Sequence, residues 1–241
     1  MRLTRLYIDT PLQEGTTIEL DERTRHHCGV VLRAKAGDTV FLFNGDGNDY
    51  QATLSTVSKK SITAEIEAVI PRETESNLSI HLGQCLSSSQ RFDLAVQKAT
   101  EMGVCTITPL HSERSQKLAS KQYAKKLAHW QSIAIHACEQ SHRGVIPEIL
   151  EPLHPYEWMK AQQSDKKWFC SISEQGLNTE NDSVSSLSIL VGPEGGLTEE
   201  EEHYAKTYDF QAVQLGKRIL RTETAPIAAI SLAQYFWGDI N

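Results

Sequence analysis

The sequence predicts an α/β protein with a mostly parallel sheet, preceded by a small β-barrel. Three observations carry this: a short-period alternation confined to the first 72 residues, a regular exchange of strand and helix patterns after them, and a proline-punctuated polar stretch, "PRETESN", between the two. At 241 residues the chain is long for a single domain of roughly 100–150 residues, so two domains are expected, residues 1–72 and 73–241.

In the first part, "VFLF" (Val40–Phe43), "YQATLS" and "SITAEIEAVI" alternate with period two. The first pair is joined by "NGDGND", whose Asn-Gly and Asp-Gly steps supply the positive φ that tight hairpins require. In the second part "LSIHLGQCL" (Leu78–Leu86) reads as a strand, and Arg91–Gly103 reads as a helix ended by Gly103. "VCTITPL" is the next strand. Ser120–His142 is a long helix with an apolar stripe through Tyr123, Leu127, Trp130, Ala134 and Ala137. "WFCSI", "LSILV" and "QAVQL" are short buried strands, "SISEQGLNTENDSVSS" is a polar loop, and helices are expected from Thr198 and over Thr224–Trp237.

Composition narrows the function classes. Hydrophobic residues at 39% and charged residues at 23% describe a globular chain with a core. No apolar run approaches the ~20 residues of a membrane span, and the first residues lack the apolar stretch of a signal peptide, so a cytoplasmic location and no membrane partner are expected. The five cysteines show no C-x-x-C pair and the nine histidines no ligand spacing, so no metal is expected. A net charge of −7 counts against nucleic acid until its distribution is considered. Residues 91–147 hold 8 Lys/Arg against 4 Asp/Glu, a local +4 compatible with RNA. Arg91, Lys98, Arg114, Lys117 and Arg143 lie there; Arg2, Arg5, Arg33 and Lys35 lie in the barrel.

Two loops carry the chemistry. Gly192-Pro193-Glu194-Gly195-Gly196 joins a buried strand to a helix with Thr198 and Glu201 in capping-box spacing. Loops at the carboxyl ends of such strands bind ligands in open α/β folds. The sequence contains neither a P-loop nor a dinucleotide fingerprint, and the glutamates that follow would repel phosphate, so a neutral or cationic ligand suits the loop better. The second loop, within "LGKRILRTETAPIAAIS" (Leu215–Ser231), crowds Arg218, Arg221 and Glu223 ahead of an apolar helix.

"GPEGG" followed by "LG-x-RILRTETA" resembles the signature of the RsmE family of SPOUT-class ribosomal RNA methyltransferases. The resemblance extends through "VLR" (Val31–Arg33), "QKATEMGV" (Gln97–Val104), "PLHSERS" (Pro109–Ser115) and "EQSHR" (Glu139–Arg143). Lys217 stands where the family commonly has proline, His142 where glycine is frequent, and Val145 where a second basic residue is often seen.

The resemblance implies a PUA-like RNA-binding barrel and a SPOUT α/β domain whose chain forms a deep trefoil knot. It implies a homodimer with the active site at its interface, and methyl transfer from S-adenosylmethionine to N3 of a uridine in 16S ribosomal RNA of the small subunit. The cofactor residues would be Gly192, Pro193, Glu194, Gly195 and Gly196 of the first loop with Leu215, Gly216, Ile219 and Leu220 of the second. Leu110 and His111 are weaker candidates. N3 of uracil becomes nucleophilic only after losing its proton, so a carboxylate must accept the proton and a cation must hold the anion. Arg221 is assigned the second role; Glu223 and Glu194 remain alternatives for the first. Arg33, Arg114 and Arg143 are assigned to RNA, with Arg114 expected to matter more for RNA than for cofactor. The alternatives are a ribose 2′-O-methyltransferase of the same superfamily and a non-catalytic ribosome-assembly factor that binds RNA.

Overall fold

The computed structural model describes residues 4–172 and 183–240. Arg2 and most of the polar loop, residues 173–182, lie outside the described residues. The chain forms two compact units, Met1–Glu75 with Cys138–Ile146, and Ser76–Ala137 with Pro147–Asn241.

In the first unit, β1 (Arg5–Tyr7), β2 (Thr17–Glu19), β3 (Thr39–Phe43), β4 (Asn48–Val57) and β5 (Ile62–Pro71) form one sheet in the order β1-β3-β4-β5-β2. The β3–β4 and β4–β5 ladders are antiparallel hairpins. The β3–β4 turn carries Gly45 and Gly47 at φ +91, as its Asn-Gly and Asp-Gly steps require. Between β2 and β3 lies a short α1 (Glu22–His26), which the alternating pattern conceals. Its N-terminus is closed by Asp21 accepting from the Thr24 N–H at 2.7 Å. One face of the sheet buries Leu6, Leu20, Val40, Leu42, Leu54 and Ile66 in a single cluster.

The segment 138–146, distant in sequence, is joined to this unit by polar contacts. Arg5 is buried, its Nε 2.8 Å from Asp49 Oδ1, and its Nη1 and Nη2 donate to the carbonyls of Cys138 and Arg143, both at 2.7 Å. Arg72 Nε donates to the other Asp49 oxygen at 2.7 Å. A buried carboxylate and guanidinium are thereby paired and hydrogen-bonded, the condition under which burying charge is tolerated. His142, within this segment, has φ +62, a left-handed backbone that favours glycine.

Among the described residues the second unit is built on six strands, β6 (Ser79–Cys85), β7 (Thr106–Leu110), β8 (Glu148–Ile149), β9 (Lys166–Cys170), β10 (Ser186–Val191) and β11 (Gln211–Val213), ordered β11-β9-β10-β6-β7-β8. Every ladder in it is parallel. The helices are α2 (Ser89–Glu101), α3 (Tyr123–Ser141), α4 (Pro155–Ala161), α5 (Glu199–Thr207) and α6 (Thr224–Trp237). β8 and α4 are additions to the sequence reading: two residues are too short for a period to register, and α4 is only two turns. α4 packs Trp158 so close to β6 that a Cβ on Gly83 would lie 2.8 Å from its ring, which is why a glycine interrupts the strand pattern. Cys85, Leu110, Trp158, Phe169 and Leu190 form the core there.

Chain order positions the site. From β6 the chain adds β7 and β8 on one side, then returns to build β9, β10 and β11 on the other. The direction reverses between β6 and β10, a topological switch point, and the parallel ladders bring all the carboxyl ends to one edge.

Candidate active site

At that edge the loops after β9, β10 and β11 enclose a cavity of about 450 Å³. The glycine loop forms one wall, with Gly192, Pro193, Glu194, Gly195 and Gly196 all lining it. Leu215, Gly216, Ile219 and Leu220 form another, joined by Arg218, Arg221 and Thr222. The end of β9 supplies Cys170, Ser171 and Ile172. These last residues were missed by sequence reasoning, because "WFCSI" announces a strand but nothing local says it lies beside β10.

Local chemistry fixes the loops. Gly196 has φ +70 and Gly216 φ +91, conformations that side chains with a Cβ rarely adopt. α5 begins at the expected capping box. Thr198 Oγ1 accepts from Glu201 N at 3.1 Å, and Glu201 Oε2 from Thr198 N at 2.8 Å. Glu201 is buried and its second oxygen accepts from Glu113 N at 3.0 Å. The two loops are tied directly, since the Thr222 hydroxyl donates to the Gly192 carbonyl at 2.9 Å and in turn accepts from buried Gln84 of β6 at 3.2 Å.

The charges cluster where β6 and β10 part. Glu194 Oε1 accepts from the Ser88 N–H and from Arg91 Nη1, each at 3.1 Å. Burial works to raise the Glu194 carboxyl, but the Ser88 and Arg91 hydrogen bonds outweigh it and hold the group below its ordinary value. Glu223 is buried, with Arg91 Nε 3.8 Å from Oε2 and Arg221 Nη1 3.9 Å from Oε1. Among the described residues its Oε2 has no hydrogen-bond partner. The Arg221 side chain is 76% exposed, free to meet a ligand. Arg91, Arg114, Arg218 and Arg221 all line the cavity beside Glu194 and Glu202, so the glutamates do not set its charge alone.

Other assignments fare differently. Arg114 lies on the glycine loop, its Nη1 donating to the carbonyls of Gly195 at 3.0 Å and Leu197 at 3.3 Å. Arg33 is exposed, with φ +52. Arg143 is 3% exposed, and its Nε and Nη2 both donate to Glu75 Oε2, at 3.0 and 2.6 Å; the RNA-facing role expected of it gives way to a structural one. Leu110 is fully buried in the core and His111 accepts or donates at 2.7 Å with the Tyr123 hydroxyl, so neither lines the cavity. Among the described residues no cluster of three or more His, Cys, Asp or Glu could hold a metal, and no helix is long and apolar enough to cross a membrane.

Residues 74–234 match the model of an RNA methyltransferase domain, and residues 20–67 that of an RNA methyltransferase PUA domain. The ribosomal RNA small subunit methyltransferases E of two Buchnera aphidicola strains are 33% and 36% identical, each over 100% of this chain and 96% and 99% of their own. The chain belongs to the ribosomal RNA small subunit methyltransferase E family. Among solved members, that of Neisseria gonorrhoeae, bound to S-adenosyl methionine, is 40% identical with a TM-score of 0.93 over 100% of both chains. A Legionella pneumophila methyltransferase, in complex with the same molecule, is 35% identical with a TM-score of 0.96, also over 100% of both.

Proposed function

We propose that this chain uses S-adenosylmethionine to methylate N3 of a uridine in 16S ribosomal RNA of the small ribosomal subunit, as a cytoplasmic homodimer. Family membership over the full length of the chain carries the reading. The cavity supports it: about 450 Å³ falls within the ~300–1,000 Å³ of small-molecule sites. Apolar Val191, Leu197, Leu215 and Leu220 provide faces for a purine, and close-packed loop backbone provides edges for it. The knotted threading of the SPOUT fold is part of the same proposal, as is a division of labour between an RNA-binding first unit, Met1–Glu75 with Cys138–Ile146, and a catalytic second unit.

When bound, the cofactor supplies an already activated methyl group, so the protein's tasks are placement, deprotonation and charge stabilisation. Arg221, exposed at the cavity mouth, would hold the negative charge that grows on the uracil oxygens. Glu194, which lines the cavity, and Glu223, beside Arg91 and Arg221, are the candidate proton acceptors. Two large apolar side chains at its rim, Ile172 at 67% and Ile219 at 80% exposed, suit burial by a second subunit. RNA contact falls to exposed Arg33 and to Arg114.

The test is transfer of labelled methyl to small subunits, followed by nucleoside analysis. Label in 3-methyluridine is the expected result. Label in a 2′-O-methyl nucleoside assigns the ribose chemistry instead, and subunit binding without transfer assigns a non-catalytic factor.

A further inference from the structure

The capping box that starts α5 does more than close a helix. For that task one oxygen of Glu201 suffices, and Oε2 supplies it by accepting from Thr198 N at 2.8 Å. Glu199 and Glu200, beside it in the first turn, are exposed, whereas Glu201 is 2% exposed. Burying a carboxylate is costly unless its remaining lone pairs are engaged. Oε1 is engaged by the Glu113 N–H at 3.0 Å, from a residue 88 positions earlier in the loop after β7. That N–H is one a turn leaves over. Ser115 N donates to the Ser112 carbonyl at 3.1 Å, so Glu113 and Arg114 are the two central residues, and the turn's own bond uses neither of their N–H groups.

The glycine loop is a turn of the same kind, with Gly196 N donating to the Pro193 carbonyl at 2.9 Å and Glu194 and Gly195 at its centre. It is held from both sides. Glu194 Oε1 accepts from Ser88 N and Arg91 Nη1, each at 3.1 Å. The Gly195 carbonyl accepts from Arg114 Nη1 at 3.0 Å, and the same nitrogen reaches the Leu197 carbonyl at 3.3 Å. The Arg114 stem crosses the loop where Gly195 has no side chain, its Cβ and Cδ both 3.3 Å from where a Cβ would stand. These contacts close a ring: Glu201 to Glu113, on to Arg114, across to Leu197, and through Thr198 back to Glu201. Resting on the function proposed above, we infer that Glu201 is a positioning residue for the methyl donor, acting through Arg114. By holding the Glu113 N–H it fixes the Ser112–Ser115 turn where Arg114 can grip the glycine loop that lines the cavity. Without that anchor the loop samples more conformations, and the donor must order it on binding. Affinity for the donor then falls while the transfer step is unaltered.

The experiment compares Glu201→Gln, Glu113→Pro, Thr198→Ala and Arg114→Ala with the parent, together with the double variants that join Arg114→Ala to each of the first two. Calorimetry gives S-adenosylhomocysteine affinity, single-turnover transfer to small subunits at saturating S-adenosylmethionine gives the rate, and urea midpoints give stability. Glu113→Pro removes the one N–H and leaves Glu201 and the cap in place, and proline suits the second position of a turn. It keeps the question answerable if Glu201→Gln fails to fold. Thr198→Ala does the converse, weakening the cap and leaving the Glu113 bond. Glu201→Gln and Glu113→Pro should each lower affinity by about fivefold, as Arg114→Ala should, with saturated transfer within about twofold of the parent. The double variants should also lose about fivefold rather than the roughly 25-fold of independent losses. Thr198→Ala should lower the urea midpoint with affinity within about twofold of the parent. An unchanged affinity in Glu113→Pro, multiplied losses in the double variants, or an equal affinity loss in Thr198→Ala overturns the role given to Glu201 while leaving the proposed function standing. A parent protein that neither binds S-adenosylhomocysteine nor transfers methyl removes both.

Discussion

Arg114 and Arg143 look alike in the sequence, each a lone basic residue inside a family motif, and the structure separates them. Arg143 is held under Glu75 within the first unit, whereas Arg114 lies over the glycine loop, its stem 3.3 Å from where a Cβ on Gly195 would stand. That placement alters what its removal should do. Arg114→Ala deletes two charge-assisted bonds to loop carbonyls, of which a partly solvated group retains about 1 kcal/mol. Calorimetry should therefore show S-adenosylhomocysteine affinity falling by about fivefold, at least as much as affinity for the small subunit; an unchanged cofactor affinity returns Arg114 to RNA alone. His81 makes a second prediction at this scale. Trp158 Nε1 donates to its Nε2 at 3.1 Å, which requires that nitrogen to be unprotonated, and burial pushes the imidazole from 6.5 down to about 4. Because the folded value is the lower one, the unfolded chain takes up the proton first as pH falls. The stability tied to neutral His81 is complete above 6.5 and is lost progressively toward about 4, at most about 3 kcal/mol. Thermal melts of the parent should fall more steeply across that window than those of His81→Gln; parallel curves would exclude the linkage.

Elements with strong local signals are where sequence and structure agree most closely. α6 spans Thr224–Trp237, as read from its apolar run, and α5 starts behind the Thr198 cap; both depend on interactions within one turn, which adjacent residues encode. α3 begins with a 3₁₀ turn over Ser120–Gln122 and becomes α-helical at Tyr123, because an isolated tight turn shares its side-chain spacing with a helix. β6 shows the opposite case. Its Gly83 answers to Trp158, which is 75 positions away and on an element with little signal of its own. Gly83→Ala would drive a methyl into the indole at 2.8 Å, with backbone and ring both packed. A loss of about 2 kcal/mol is expected in urea unfolding, and an unchanged midpoint would show that α4 can withdraw from β6.

For the whole molecule, the informative feature is a compact unit made from two stretches of chain. Met1–Glu75 is completed by Cys138–Ile146, so a domain cut at residue 72 would leave Arg5 without the carbonyls of Cys138 and Arg143, and would remove Glu75 altogether. A buried guanidinium short of two acceptors costs several kcal/mol, a large share of the stability of so small a unit. A fragment comprising residues 1–72 should show no cooperative thermal transition, whereas the full chain does; a sharp transition in the fragment would mean that the barrel closes without the segment.

The sequence by itself determined the family, the two ligand loops, the hairpin turn and the helix cap, because each resides in a contiguous motif whose geometry is set by neighbours a few positions apart. It also ranked Arg221, Glu223 and Glu194 together without choosing between the carboxylates. Tertiary structure decided what surrounds each charge. Strand order placed β10 beside β6 and so brought Glu194 to Arg91 across 103 positions, while Arg143 was drawn under Glu75. Burial and pairing at that range depend on which strands become neighbours, and chain pattern carries no record of the order in which a parallel sheet is assembled.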